Sequence, residues 1–212
     1  MNPTWIFDLD NTLHDAEPYI FPEMNRQMTR YVATHLQVDE ATADALRLDY
    51  WRRFGSTLAG LLHHGHIDPE HFLRKTHEFP DLARKIIPMR GLRQTLRQLP
   101  GKKILFTNAP LDYAVSVLRA LRIEHLFDGV IAMQQTGFRP KPHRAGYLHL
   151  LHRYRLDPSR CIMVEDTRHN LVTAKRLGMR TVWLTRKLNA GPAVDIRISR
   201  FNTLPQRIRR QN

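Results

Sequence analysis

The stretch Trp5-Ile6-Phe7-Asp8-Leu9-Asp10-Asn11-Thr12-Leu13 sets two carboxylates two positions apart, with a hydroxyl two positions further on. Carboxylates that close repel each other unless a cation or a shared proton intervenes. A hard divalent cation bound through oxygen, Mg2+ foremost, resolves the repulsion economically. Taken alone, the pair describes an acidic solvated turn just as well. Three further places add to it: Thr107-Asn108, Lys141 within Arg139-Pro140-Lys141-Pro142, and Glu165-Asp166 followed by Thr167 and Asn170. Each has an ordinary explanation, as a cap, a solvated charge or an acidic helix start. Together they supply a nucleophile, an acid/base, phosphate donors, a cation and metal ligands.

Such groups act together only if the fold brings them together. Ile6 and Phe7 read as the end of a short buried strand that opens after Pro3, with Asn11 marking a turn out of the sheet. Had the strand continued, Asp8 and Asp10 would share a side. Further along, apolar strands are predicted at 103–107, 129–132, 161–164 and 181–184, alternating with helices at 92–99, 111–121, 143–154 and 168–177. That alternation implies a parallel sheet covered on both faces. A short edge strand near 196–198 and a closing helix at 204–210 would complete it. All four groups then fall at carboxyl ends of strands or in the loops beyond, where open α/β sheets bind ligands.

Between them the pattern changes. Strand-like runs vanish, and helices are predicted at 17–36, 39–54, 56–64 and 69–77. Asp39 and Asp68 stand at N-cap positions, with Pro69 at the first helical position, while Gly55, Gly60 and Gly65 break or end helices. The expected architecture is α/β: a Rossmann-like parallel sheet formed by residues 1–14 and 91–212. An inserted α-helical cap at 15–90 would stand over the acidic loop.

The 212 residues suit one such domain with an insertion, and 42% hydrophobic with 25% charged residues is a soluble globular balance. No apolar run approaches the ~20 residues of a membrane span. The opening residues read as a strand rather than a basic leader, so a cytoplasmic location is expected. Cys161 is the sole cysteine, which excludes an internal disulfide, and it reads as a small core residue. The net charge of +13 invites a nucleic-acid partner, yet the basic residues are scattered in short runs such as Arg52-Arg53. Small phosphorylated substrates fit that distribution as well. His63, His64 and His66 read as a solvated helix end rather than a metal site.

The order D-x-D-x-T, T-N, K-P, E-D resembles the haloacid dehalogenase-like (HAD) superfamily of phosphohydrolases. The resemblance implies that Asp8 attacks phosphorus and that Asp10 protonates the leaving alcohol and later activates water. Thr12 would steady Asp10. Thr107, Asn108 and the adjoining backbone would donate to the phosphoryl group, and Lys141 would neutralise charge. Mg2+ would sit on Asp8, Asp166 and the main-chain carbonyl of Asp10, with Glu165 beside or behind the ion and Asn170 behind it. A dehalogenase of this superfamily needs neither a second acid nor a metal, so Asp10 and Glu165-Asp166 point to phosphoryl chemistry.

The insert, in Phe54-Gly55-Ser56-Thr57-Leu58-Ala59-Gly60-Leu61 and the segments after it, resembles pyrimidine 5′-nucleotidases. That implies UMP or CMP as substrate, with Arg52, Arg53, Phe54 and Thr57 as contacts. The alternatives are a HAD phosphatase for a sugar phosphate or phosphoglycolate, and a catalytically silent anion- or nucleic-acid-binding module.

Overall fold

A computed structural model describes residues 2–65, 67–188 and 191–210. Its strands are β1 (Thr4–Phe7), β2 (His14–Asp15), β3 (Ile87–Pro88), β4 (Lys103–Phe106), β5 (Gly129–Ile131), β6 (Cys161–Glu165), β7 (Arg180–Leu184) and β8 (Ile196–Ile198). The inserted helices are α1 (Ile20–Leu36), α2 (Glu40–Phe54), α3 (Thr57–His64), α4 (Pro69–Thr76) and α5 (Leu82–Lys85). Those around the sheet are α6 (Leu92–Gln98), α7 (Leu111–Ala120), α8 (Arg144–Tyr154), α9 (Arg168–Arg176) and α10 (Leu204–Arg209).

Six strands form one parallel sheet in the order β5-β4-β1-β6-β7-β8. The chain builds outward from β1 to one side, then returns to build outward on the other. β1 therefore lies at the reversal of strand order, and its carboxyl end opens into the crevice that this topology creates. Alternation along β1 feeds both faces. Trp5 and Phe7 pack with Leu96, Val117 and Phe201, whereas Ile6 packs with Tyr147, Leu150 and Leu171. Burial on both faces explains why these strands read as unbroken apolar runs.

The insert has its own apolar cluster, including Val32, Tyr50, Leu58, Leu61, Phe72 and Leu73, and Met133 from the sheet side joins it. Its caps follow from the sequence: Asp39, Ser56 and Asp68 accept hydrogen bonds from Thr42 N, Ala59 N and Glu70 N. Gly60 departs from expectation, because it lies inside α3 rather than breaking it. A Cβ there would stand 2.3 Å from Tyr50 Cγ, so close approach to α2 is what requires glycine. α1 begins at Ile20, later than predicted.

The insert is also not free of strands. His14 and Asp15 pair antiparallel with Pro88 and Ile87, tying together the two chain segments that lead into and out of the helices. Two residues a side, one of them proline, leave no periodicity to read. Among the described residues no helix is long and apolar enough to cross a membrane.

Candidate active site

Asp8 follows β1, Thr107 follows β4, Glu165 ends β6 with Asp166 next, and Lys141 precedes α8. The sheet brings these groups to one edge. Lys141 Nζ donates to Asp8 Oδ1 at 2.6 Å, to Phe106 O at 2.8 Å and to Glu165 Oε1 at 2.9 Å, which uses all three ammonium protons. The lysine is 2% exposed. Burial opposes its charge, but the Asp8 and Glu165 carboxylates outweigh burial and raise its pKa above the ordinary lysine value.

The loop carrying Lys141 is held by Asn108. Its Nδ2 donates to Lys141 O at 3.0 Å and its Oδ1 accepts from Lys141 N at 2.7 Å. Both ends of the amide are thereby engaged, so Asn108 positions the lysine, while its second N–H lies on a residue that lines the cavity. Thr107 lines the cavity as expected, yet its Oγ1 accepts from Ala109 N at 3.0 Å. Of the amides following Thr107, that one is not free for a phosphoryl group.

Asp8, Glu165 and Asp166 offer ligand oxygens that all lie within 4.8 Å of one another. One ammonium faces three buried or half-buried carboxylates. Burial, then the Glu165 charge, pushes Asp8 up to about 7 despite Lys141. Burial, then Glu165 and Asp8, pushes Asp166 up to about 9. Glu165 would also be raised by burial, but Lys141 and its hydrogen bonds bring it below the ordinary value. This excess of acid fits a hard divalent cation, which would take the place of the protons. Glu165 already accepts from Lys141 and Asn170 on Oε1 and from Thr167 N on Oε2. Asp8 accepts one hydrogen bond on each oxygen, and Asp166 has a 3.3 Å contact from the Thr167 hydroxyl and a side-chain hydrogen bond with Glu165. Both are less engaged than Glu165, which fits better behind them. Asn170 lines the cavity as well and is fixed by Tyr147, whose hydroxyl donates to its carbonyl at 2.8 Å.

Asp10 stands outside this cluster. Its Oδ1 accepts from His14 Nε2 at 2.9 Å and from the Tyr113 hydroxyl at 2.8 Å. Burial would raise its pKa, but the hydrogen bond from His14 leads the contributions that hold it below the ordinary value. The expected prop was Thr12, and that expectation is corrected. Thr12 is fully buried and donates to Asp8 Oδ2 at 3.1 Å, so it steadies the neighbouring carboxylate and does not line the cavity. His14 carried no signal in its spacing, because a separation of four pairs side chains only on a helix and this stretch is turn and strand. Tyr113, distant in sequence, carried none. His77, at the end of α4, also reaches this corner: its ring meets Tyr113 at 5.6 Å, and burial pushes its pKa down to about 4.

Two adjoining spaces lie between insert and sheet. An inner cavity of about 540 Å3 contains the Asp8 centre and is faced by Phe21, Met24, Met28, Arg47, Thr57 and Phe72 of the insert. An outer cleft of about 1170 Å3 is lined by Trp51, Arg52, Arg53, Phe54, Arg139 and His169, among others. Of the four contacts expected from the insert, only Thr57 reaches the inner cavity. Arg52, Arg53 and Phe54 face the outer cleft, with Arg53 paired to Asp49 at 3.2 Å and lying 5.2 Å over the Phe54 ring. Arg47 had no motif to mark it. It is held by Asp44, Thr29 and Asn25.

Elsewhere, His63 and His64 are exposed at the end of α3, and His66 lies outside the described residues. Cys161 is buried, and burial pushes its thiol up to about 11, which suits a core residue.

The chain resembles known phosphatases in sequence and fold. The chain is 28% identical over 200 residues to a phosphorylated carbohydrates phosphatase of Thermotoga maritima, covering 89% of this chain and 88% of that one. It is 26% identical over 203 residues to a phosphoglycolate phosphatase of Pseudomonas putida, covering 90% and 72%. Its fold matches a HAD phosphatase structure from Thermococcus onnurineus with a TM-score of 0.69 at 21% identity, over 97% of each chain. The family described as haloacid dehalogenase-like hydrolase matches residues 4–178, and the chain belongs to that family.

Proposed function

We propose that this protein is a Mg2+-dependent phosphomonoester hydrolase that works through an aspartyl-phosphate on Asp8 and accepts small phosphorylated organic molecules. The observation that carries this reading is the buried Asp8–Lys141–Glu165 contact with the Asp166 carboxyl beside it. Asp8 attacks phosphorus while Lys141, fixed by three acceptors, offsets the charge of carboxylate and phosphoryl group. Asp10 gives a proton to the departing alkoxide, then takes one from the water that cleaves the acyl phosphate. Because His14 and Tyr113 occupy Oδ1, the proton in transit belongs on Oδ2. Held by Asp8, Asp166 and the Asp10 carbonyl, Mg2+ would supply charge neutralisation and orientation.

Two leaving groups have support. The relatives named for phosphoglycolate and phosphorylated carbohydrates favour a small polar one. The apolar lining by Phe21, Met24, Met28 and Phe72 favours one with a flat or apolar body, as in the pyrimidine nucleoside 5′-monophosphates UMP and CMP. A panel of phosphate esters assayed with Mg2+ decides between them. Preference for UMP and CMP over AMP, GMP and sugar phosphates supports the nucleotide; preference for phosphoglycolate or sugar phosphates supports the first. Absence of turnover on every ester would overturn the hydrolase.

A further inference from the structure

We propose that the outer cleft is a second anion-binding subsite, and that the substrate carries another phosphoryl group besides the one cleaved. The cleft is lined by Arg52, Arg53, Arg139, His63, His143 and His169, and no Asp or Glu appears among its lining residues. These six side chains are exposed, and among the described residues only Arg53 has an acidic partner, Asp49. Such one-sided charge beside low-dielectric walls attracts anions and concentrates them at the mouth of the site. The inner cavity is the opposite, with Asp8, Asp10, Glu165 and Asp166 all facing it. A second phosphoryl group is therefore repelled from the inner space and drawn to the outer one.

The two spaces adjoin. Trp51, Gly55, Asn108, Lys141, Thr167 and Asn170 line both, so a substrate seated at the Asp8 centre lies beside the cleft. Arginine suits the role because its planar fork meets phosphate oxygens in pairs. Three arginines against the single carboxylate of Asp49 leave two guanidinium charges unbalanced, which suits a phosphoryl dianion. The subsite accounts for part of the +13 charge that the catalytic centre leaves unexplained. Bisphosphorylated sugars and nucleoside bisphosphates share this chemistry.

The proposal rests on the hydrolase reading for where the reacting group sits, so its test reads binding and turnover separately. Full-length Asp8→Asn protein with Mg2+ is titrated calorimetrically with fructose 1,6-bisphosphate against fructose 6-phosphate, and with uridine 3′,5′-bisphosphate against UMP. The wild-type protein is assayed on the same pairs. In at least one pair the bisphosphate should win by about tenfold in Kd and in kcat/KM, the scale of one charge-assisted hydrogen bond. Which pair shows the preference tells sugar from nucleoside. The preference should vanish in Arg52→Gln/Arg139→Gln, return in part with Arg139→Lys, and shrink at about 0.5 M salt. Equal binding within each pair, or a preference that survives the double substitution, overturns the subsite. If bisphosphates bind preferentially but no ester is turned over, the subsite stands and the hydrolase reading falls.

Discussion

At the carboxyl edge of the sheet every charged side chain is held by named partners; across the cavity the helices offer mainly bulk. Lys141 has three acceptors, Glu165 three donors and Asp10 two donors on one oxygen. Opposite them stand Phe21, Met24, Met28, Leu58 and Phe72, and the one arginine there is bonded back onto Asp44, Thr29 and Asn25. The edge is rigid because strands on both sides of β1 fix where its last residues point. The helical face is shaped by packing across four helices. On the proposed reading, reaction and selection fall to different side chains: changes at Asp8, Asp10 or Lys141 should affect all esters alike, and changes in the insert should shift the ratio between them.

Substituting Asp8→Asn should lower kcat on every ester by at least about a thousandfold, because the amide keeps the shape but cannot attack. A loss confined to some esters would break the comparison at its strongest point. Lys141→Met leaves Asp8 and Glu165 buried without their cation. It should cost about 3–5 kcal/mol of stability in denaturant unfolding and about a hundredfold in kcat. A fully stable variant would show that the charges are not held as described.

The cation gives a pH test of the same edge. Asp8 at about 7 and Asp166 at about 9 lie above the ordinary carboxylate value, so a divalent cation must displace protons from them below those pH values. Mg2+ affinity measured by calorimetry should therefore weaken as pH falls, by about tenfold per unit between about pH 9 and 7. Affinity independent of pH would remove these carboxyls from the site.

Much of this edge was legible beforehand because its chemistry dictates residue type. A nucleophile, a lysine and paired acids at strand ends leave few substitutes, and the strands that carry them are buried runs bounded by turn residues. Helix starts marked by Asp39 and Asp68 were equally readable, since capping is local. What was not legible depends on contacts between distant segments. Tyr113 meets Asp10 across more than a hundred residues, and Thr12 turns toward Asp8 because of how the loop closes. Gly60 resembled a helix breaker until Tyr50 was seen against it. Arg52, Arg53 and Phe54 lie on the insert as expected but face the cleft, an orientation fixed by how α2 packs.

Smaller effects sharpen the contrast. Tyr113→Phe removes one of the two donors to Asp10 and should lower kcat by about tenfold for alkyl esters, whose alkoxide needs the proton. An aryl phosphate, with a better leaving group, should lose less. Equal losses on both would separate Tyr113 from proton transfer. Met28→Ala, on the insert, should change the ratio of kcat/KM between a nucleotide and a sugar phosphate by a few-fold, with kcat on an aryl phosphate almost constant. A uniform loss on all three would mean that the insert supports the reaction itself.

The central claim is that Asp8 carries the phosphoryl group, and chemical trapping tests it directly. An acyl phosphate quenched during turnover is reduced by borohydride, which converts the aspartate that carried it to homoserine. Peptide mass analysis should find homoserine at position 8, in amounts that depend on substrate and Mg2+, and none at position 10. Turnover with both aspartates unreduced, or label at Asp10, would contradict the account.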